Sequence, residues 1–104
     1  MAASEQASNA ARSDTDTARI QAMGAVASAY LTVLSDQEAI AAAQATVTQR
    51  EAHLRIADGL VTAGARPPIE RVRAQVNLDV ARLDLTRTEG RTVNDRAALA
   101  AALG

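Results

Sequence analysis

Apolar residues return at every seventh position of this chain, and they do so in two separate runs. The first is Val26, Val33, Ile40, Val47, Leu54 and Val61; the second is Ile69, Val76 and Leu83, continued by Gly90 and Ala97. Between them lies Val61-Thr62-Ala63-Gly64-Ala65-Arg66-Pro67-Pro68-Ile69, the only place where Gly and Pro cluster. A seven-residue period marks helices packed along a seam at a shallow angle. Glycine adopts the left-handed conformation that ends a helix without a Cβ penalty, and proline is tolerated in the first turn of a new one. The pattern predicts an all-α fold, a long antiparallel helical hairpin of coiled-coil type. Helix one is expected from about Asp14, or earlier, to about Ala63, the tip turn at 64–68, and helix two from about Pro68 to about Ala102. Folded about Ala65, the two runs mirror each other: Val61 faces Ile69, Leu54 faces Val76, Val47 faces Leu83, Ile40 faces Gly90 and Val33 faces Ala97.

Each arm carries more apolar surface than one contact can cover. Ile20, Ala27, Leu34 and Ala41 form a stripe beside the Val26 run, with Met23 and Tyr30 near it. In the second arm Leu78, Leu85 and Leu99 mark another face, widened by Val72, Val80 and Val93. Because a two-helix hairpin buries only the faces that meet, Ile20, Leu34, Leu78, Leu85 and Leu99 are expected to stay wet. The exceptions are that hairpins associate, or that the chain is one wall of a larger helical assembly. Residues 1–13 are polar and Ala-rich, allowing a helix without demanding one, and Ser13, Asp14 and Asp16 are candidate caps for a helix start. The mirror rule pairs Val26 with Gly104 and leaves everything earlier without a partner, so the chain reads as an excerpt from a longer protein. Gly24, Gly59 and Gly90 fall inside helical pattern at about 1 kcal/mol each relative to Ala. They are either tolerated or, for Gly90 opposite Ile40, a point of close helix approach.

Composition narrows the class. The 104 residues include one aromatic, Tyr30, and no Cys, Trp or Phe, so a conventional globular core, a disulfide framework and thiolate metal sites are out of reach. The net charge of −1 gives no field favouring nucleic acid or acidic lipid. Charge is uneven, however: seven acids and four Arg precede Gly64, and five acids and seven Arg follow it. The arms therefore attract weakly. Within the second arm, Glu70 with Arg73, Asp79 with Arg82 and Asp84 with Arg87 are spaced for local pairs worth about 0.2–0.5 kcal/mol each. No phosphate loop, His-Glu-x-x-His motif or nucleophile elbow is present, and His53 has no second His or Cys with which to hold a metal. An exposed or interfacial helix position is the reading for His53. No enzyme activity, cofactor, metal or nucleic-acid partner is expected. There is no signal-peptide pattern, no apolar run of about 20 residues and no period-two alternation of a membrane β-strand, so the chain itself is expected to be soluble.

Three segments resemble the TolC family of outer-membrane efflux channels. Ala29-Tyr30-Leu31-Thr32-Val33-Leu34 is similar to the family's Ala-Tyr-Leu-x-Val-Leu segment near the start of a hairpin. Gly64-Ala65-Arg66-Pro67-Pro68-Ile69-Glu70, followed by Arg71-Val72-Arg73-Ala74-Gln75, resembles the pattern Gly-x-x-Ser/Thr-x-x-Asp-Val-x-x-Ala-Gln/Glu. The end, Ala97 to Gly104, resembles Ala-Leu-x-x-Ala-Leu-Gly. Two departures stand out: Pro67 occupies the position of a capping Ser or Thr, and Glu70 replaces Asp. The resemblance implies a trimeric protein whose β-barrel crosses the outer membrane and whose helical hairpins form a tunnel through the periplasm. The hairpin tips meet a periplasmic membrane-fusion adaptor.

On this reading the chain is the periplasmic hairpin of such a channel, part of its tunnel wall, with Leu60, Gly64, Ala65, Arg66, Pro67 and Glu70 forming the adaptor-docking tip. Gly64 and Pro67 also suit a simple reversal with no docking role. The runner-up is a free-standing hairpin that self-associates into a four-helix bundle as a scaffold or adaptor; the coiled-coil hairpin of a periplasmic adaptor is a third possibility. Self-association is expected under either leading reading, as a trimer in the full-length channel and as a dimer or larger species for the isolated fragment. A parent reading frame holding a signal peptide, flanking β segments and a second hairpin would single out the channel.

Overall fold

The computed structural model describes residues 2–104. Met1, the first residue of the polar lead, lies outside the described residues. Two helices make up the fold, α1 (Ala2–Thr62) and α2 (Ile69–Leu103), joined by one short turn, with no strand among the described residues. Ala, and Leu, Arg, Gln and Glu, none of them branched at Cβ, lose little side-chain freedom in a helix, and no Pro interrupts either arm. α1 begins at Ala2, ahead of the expected start near Asp14; α2 matches its expected span to within a residue. At about 1.5 Å per residue, a helix of 61 residues is roughly 90 Å long. It sets the dimensions of the whole molecule, 94 × 17 × 14 Å.

The α1 seam lies where the period puts it. Val26, Val33, Ile40, Val47, Leu54 and Val61 are all buried or half-buried, alternating with Ala29, Asp36, Ala43, Arg50 and Ala57. Steps of three and four residues thus run unbroken through the arm, with a large side chain followed mostly by a small one.

The phase of α2 corrects the expected mirror pairing. Ile69, Val76 and Leu83 are 49, 53 and 49% exposed, and Gly90 and Ala97 are exposed as well. The face turned to α1 is instead Arg71, Ala74, Leu78, Ala81, Leu85, Thr88, Thr92, Asp95 and Leu99. Leu78, expected to be wet, is 2% exposed, and Leu85 and Leu99 are half-buried further along the same face. The cause is rotational. The mirror rule counts residues from the turn but says nothing of how far the turn's backbone rotates α2 about its own axis. A Cβ added at Gly24, Gly59 or Gly90 meets only open space, so these glycines mark no close helix approach.

The excess apolar surface is therefore real, but different residues in α2 supply it. Ile69, Val72, Val76, Val80 and Leu83 follow one another at steps of three and four down a single exposed face. On α1, Ile20 and Leu34 are exposed as expected, and Met23, Tyr30 and Leu31 are exposed with them.

Charge follows the predicted asymmetry. Among the described residues three bridges cross the seam, each from an Arg of α2 to an acid of α1: Arg71–Asp58 at 2.6 Å, Arg82–Glu51 at 3.7 Å and Arg91–Asp36 at 3.6 Å. Of the local pairs expected within α2, Glu70–Arg73 forms at 3.7 Å. Arg82 reaches across the seam instead of to Asp79, which accepts a hydrogen bond from Gln75 Nε2 at 3.0 Å.

The phase of α2 is testable by truncation. Leu78→Ala should lower unfolding stability by at least about 2 kcal/mol, as for a buried Leu. Leu83→Ala, on the exposed face, should cost less than about 1 kcal/mol. Urea titration followed by circular dichroism at low protein concentration measures both, and equal losses would mean that the seam assignment is wrong.

Candidate functional site

α1 ends in a glycine-dependent turn. Gly64 has φ +78°, the left-handed region. Its N–H donates to Val61 O at 3.0 Å, and the N–H of Ala65 reaches back to Leu60 O at 2.9 Å. This paired six-to-one and five-to-two arrangement is the Schellman motif, which satisfies helix-end carbonyls that have lost their intrahelical partners. Arg66 N–H also donates to Leu60 O, at 3.3 Å. Leu60 is therefore both an apolar tip residue and the carbonyl on which the reversal hangs.

Two prolines open α2. Pro68 stands just before the helix with φ −56° and ψ −24°, already helical, and no side chain caps the N-terminus. Pro67 O accepts the N–H of Glu70 at 3.0 Å, and Pro68 O accepts those of Arg71 and Val72 at 3.1 and 3.4 Å. Proline rigidity thus replaces the hydroxyl cap absent from this sequence, since neither proline has an N–H to leave unpaired.

A further residue, not singled out from the sequence, closes the turn. Arg71 Nε pairs with Asp58 Oδ1 at 2.6 Å, while its Nη2 donates to Thr62 Oγ1 at 3.1 Å. One guanidinium from the first turn of α2 thereby holds the last two turns of α1. Arg71 lies in the seam phase of α2, so the run Arg71, Leu78, Leu85 is the signal that places it there.

The six tip residues fall into two overlapping groups that share Arg66. Gly64, Ala65, Arg66 and Pro67 are exposed on the reversal itself. Leu60, Arg66 and Glu70 line a shallow groove of about 250 Å³ together with His53, Ile56 and Ala57. Ile56, 61% exposed, gives that groove an apolar floor and was not among the residues expected. His53 is exposed, as expected for a lone helix histidine. Arg66 has no carboxylate within 4 Å among the described residues, which leaves its fork free to take acceptors from outside. The tip thus carries an apolar strip of Ile56, Ala57 and Leu60 with the cation Arg66 and the anion Glu70 at its edges.

A family model described as outer membrane efflux protein matches residues 1–104. The chain belongs to that family, which makes it a component of an outer-membrane efflux protein of the TolC type. No curated protein and no solved structure matches it. Among the described residues, no helix is long and apolar enough to cross a membrane.

The left-handed turn generates a prediction. A Cβ at Gly64 meets no atom within 4 Å, so Gly64→Ala should cost only the backbone strain of positive φ, about 1–2 kcal/mol. Gly64→Asn should recover part of it, because Asn tolerates that region. Urea midpoints that do not distinguish parent, Ala and Asn would contradict a left-handed residue 64.

Proposed function

We propose that this chain is a periplasmic hairpin of an outer-membrane efflux channel, forming part of the export tunnel wall and presenting its turn to a periplasmic adaptor. The observation that carries the reading is the second helical face, Ile69, Val72, Val76, Val80 and Leu83, exposed along α2. It repeats the spacing of the seam but has no partner in the hairpin. In a wall of side-by-side helices, each helix packs on neighbours at both sides, and such a face is then buried. At about 25 cal/mol per Å² of apolar surface, covering it is worth several kcal/mol. The family match over the whole chain supports the same reading. Isolated, the chain has the same face available for a second copy, and pairing as a dimer or larger species follows from it.

The adaptor-docking role is assigned to Leu60, Gly64, Ala65, Arg66, Pro67 and Glu70, with Ile56 added from the groove. The apolar strip supplies contact area; Arg66 and Glu70 at its edges supply orientation. Arg66→Glu tests the role without disturbing backbone hydrogen bonds. In the full-length channel it should reduce adaptor cross-linking and export about tenfold, equivalent to ~1.4 kcal/mol, while trimer level and helix content hold. Cross-linking equal to that of the parent would remove Arg66 from the docking surface.

A further inference from the structure

Far from the turn the seam changes character. Asp36 of α1, 5% exposed, sits where the three-four repeat calls for an apolar residue. The seam face of α2 at this end carries buried Thr88 and Thr92 and half-buried Asp95. The hydroxyls are satisfied within their own helix: Thr88 Oγ1 donates to Asp84 O at 2.9 Å and Thr92 Oγ1 to Thr88 O at 3.0 Å. Neither is committed to Asp36. Asp36 Oδ1 has Arg91 Nε at 3.6 Å, beyond the length of a charge-assisted hydrogen bond, and that Arg side chain is largely exposed. Oδ2 of Asp36 and Oδ2 of Asp95 are both buried without a donor. Arg91 reaches Asp36 from one helical turn before Asp95, so the turn of α2 that carries Asp95 lies opposite Asp36 across the seam. Two carboxylates so placed have acceptors only; a single proton between them would supply the missing donor.

We propose that Asp36 and Asp95 share one proton across the seam, and that this carboxyl–carboxylate bridge is an acid-dependent clasp between α1 and α2. The charged groups acting on Asp95 are Asp36 from α1 and Arg91 from its own helix. The hydrogen bond to Asp36 raises the Asp95 pKa above its usual 3.8, and burial and the Asp36 charge raise it further, while Arg91 opposes them. A folded-state pKa above the unfolded value means that the native hairpin binds the proton more tightly than the unfolded chain. The stability that proton-bound Asp95 lends the clasp is therefore lost as pH rises through the raised value. At 1.5 Å per residue it lies roughly 40 Å from the turn, so its release loosens the far end of the hairpin and leaves the tip joined by Arg71. The device belongs to the hairpin itself and does not depend on the channel assignment.

Carboxyl-carbon NMR of the Asp-labelled chain, titrated between about pH 3 and about pH 8, tests it. Asp95 should titrate above 3.8. In Asp36→Asn, the Asp95 midpoint should fall to its usual value or below. Urea midpoints of the parent should decline as pH rises through that step, whereas Asp95→Asn, a neutral isostere that keeps a donor, should flatten the decline. The proposal is overturned if Asp95 of the parent titrates at or below 3.8, or if its midpoint is indifferent to Asp36→Asn.

Discussion

A single strip of contact holds this molecule together. Two helices that touch nothing else can bury only one face each, and here that face alternates large and small side chains at steps of three and four residues. Among the described residues, Val33 and Ala43 on α1, with Leu78 and Ala81 on α2, are the buried apolar ones. That is little core for 104 residues. Arg-to-acid bridges running from α2 to α1 lie along the strip, but each is solvent-exposed on at least one side and so adds little by itself. The strip sets the pairing and direction of the helices, while most of the apolar surface remains turned outward.

The turn makes the strip possible, because antiparallel pairing needs a reversal that leaves few backbone groups unpaired. Gly64 supplies positive φ, Leu60 O collects two N–H groups, and Pro67 and Pro68 start α2. Arg71 then ties the two ends together. The same compactness pushes Arg66, Pro67 and Ala65 out to the apex, where a partner can reach them. Fold and candidate site are consequences of one short segment.

Much of this was legible in the residues. The Gly-x-x-Pro-Pro string located the reversal, and the Val26 run gave the buried face of α1 over its full length. The phase of α2 was not legible from the period alone, because two seven-residue runs compete there. One holds Ile69, Val76 and Leu83 but fades into Gly90 and Ala97; the other holds Leu78 and Leu85 and continues through Thr92 to Leu99. A run that weakens halfway makes a poor seam, and the reach of each run to the helix end was the signal that decides between them. Arg71 and Asp36 escaped notice for a related reason: a charge at a seam position reads as surface until the facing helix is in place. The tip groove depends on Ile56 meeting Leu60 and residues beyond the turn, which spacing within one helix does not reveal.

The central claim is that the inner face is buried by the hairpin and the outer face of α2 by neighbours in a channel wall. Thiol labelling of single cysteines at residues 76, 78 and 83 separates the two most directly. In the isolated chain at low concentration, Val76→Cys and Leu83→Cys should label fast and Leu78→Cys slowly. In the full-length channel all three should be protected, and concentrating the isolated chain should begin to protect the outer pair. Fast labelling of the outer pair in the assembled channel would contradict the account, because that face would then have no neighbour to cover it.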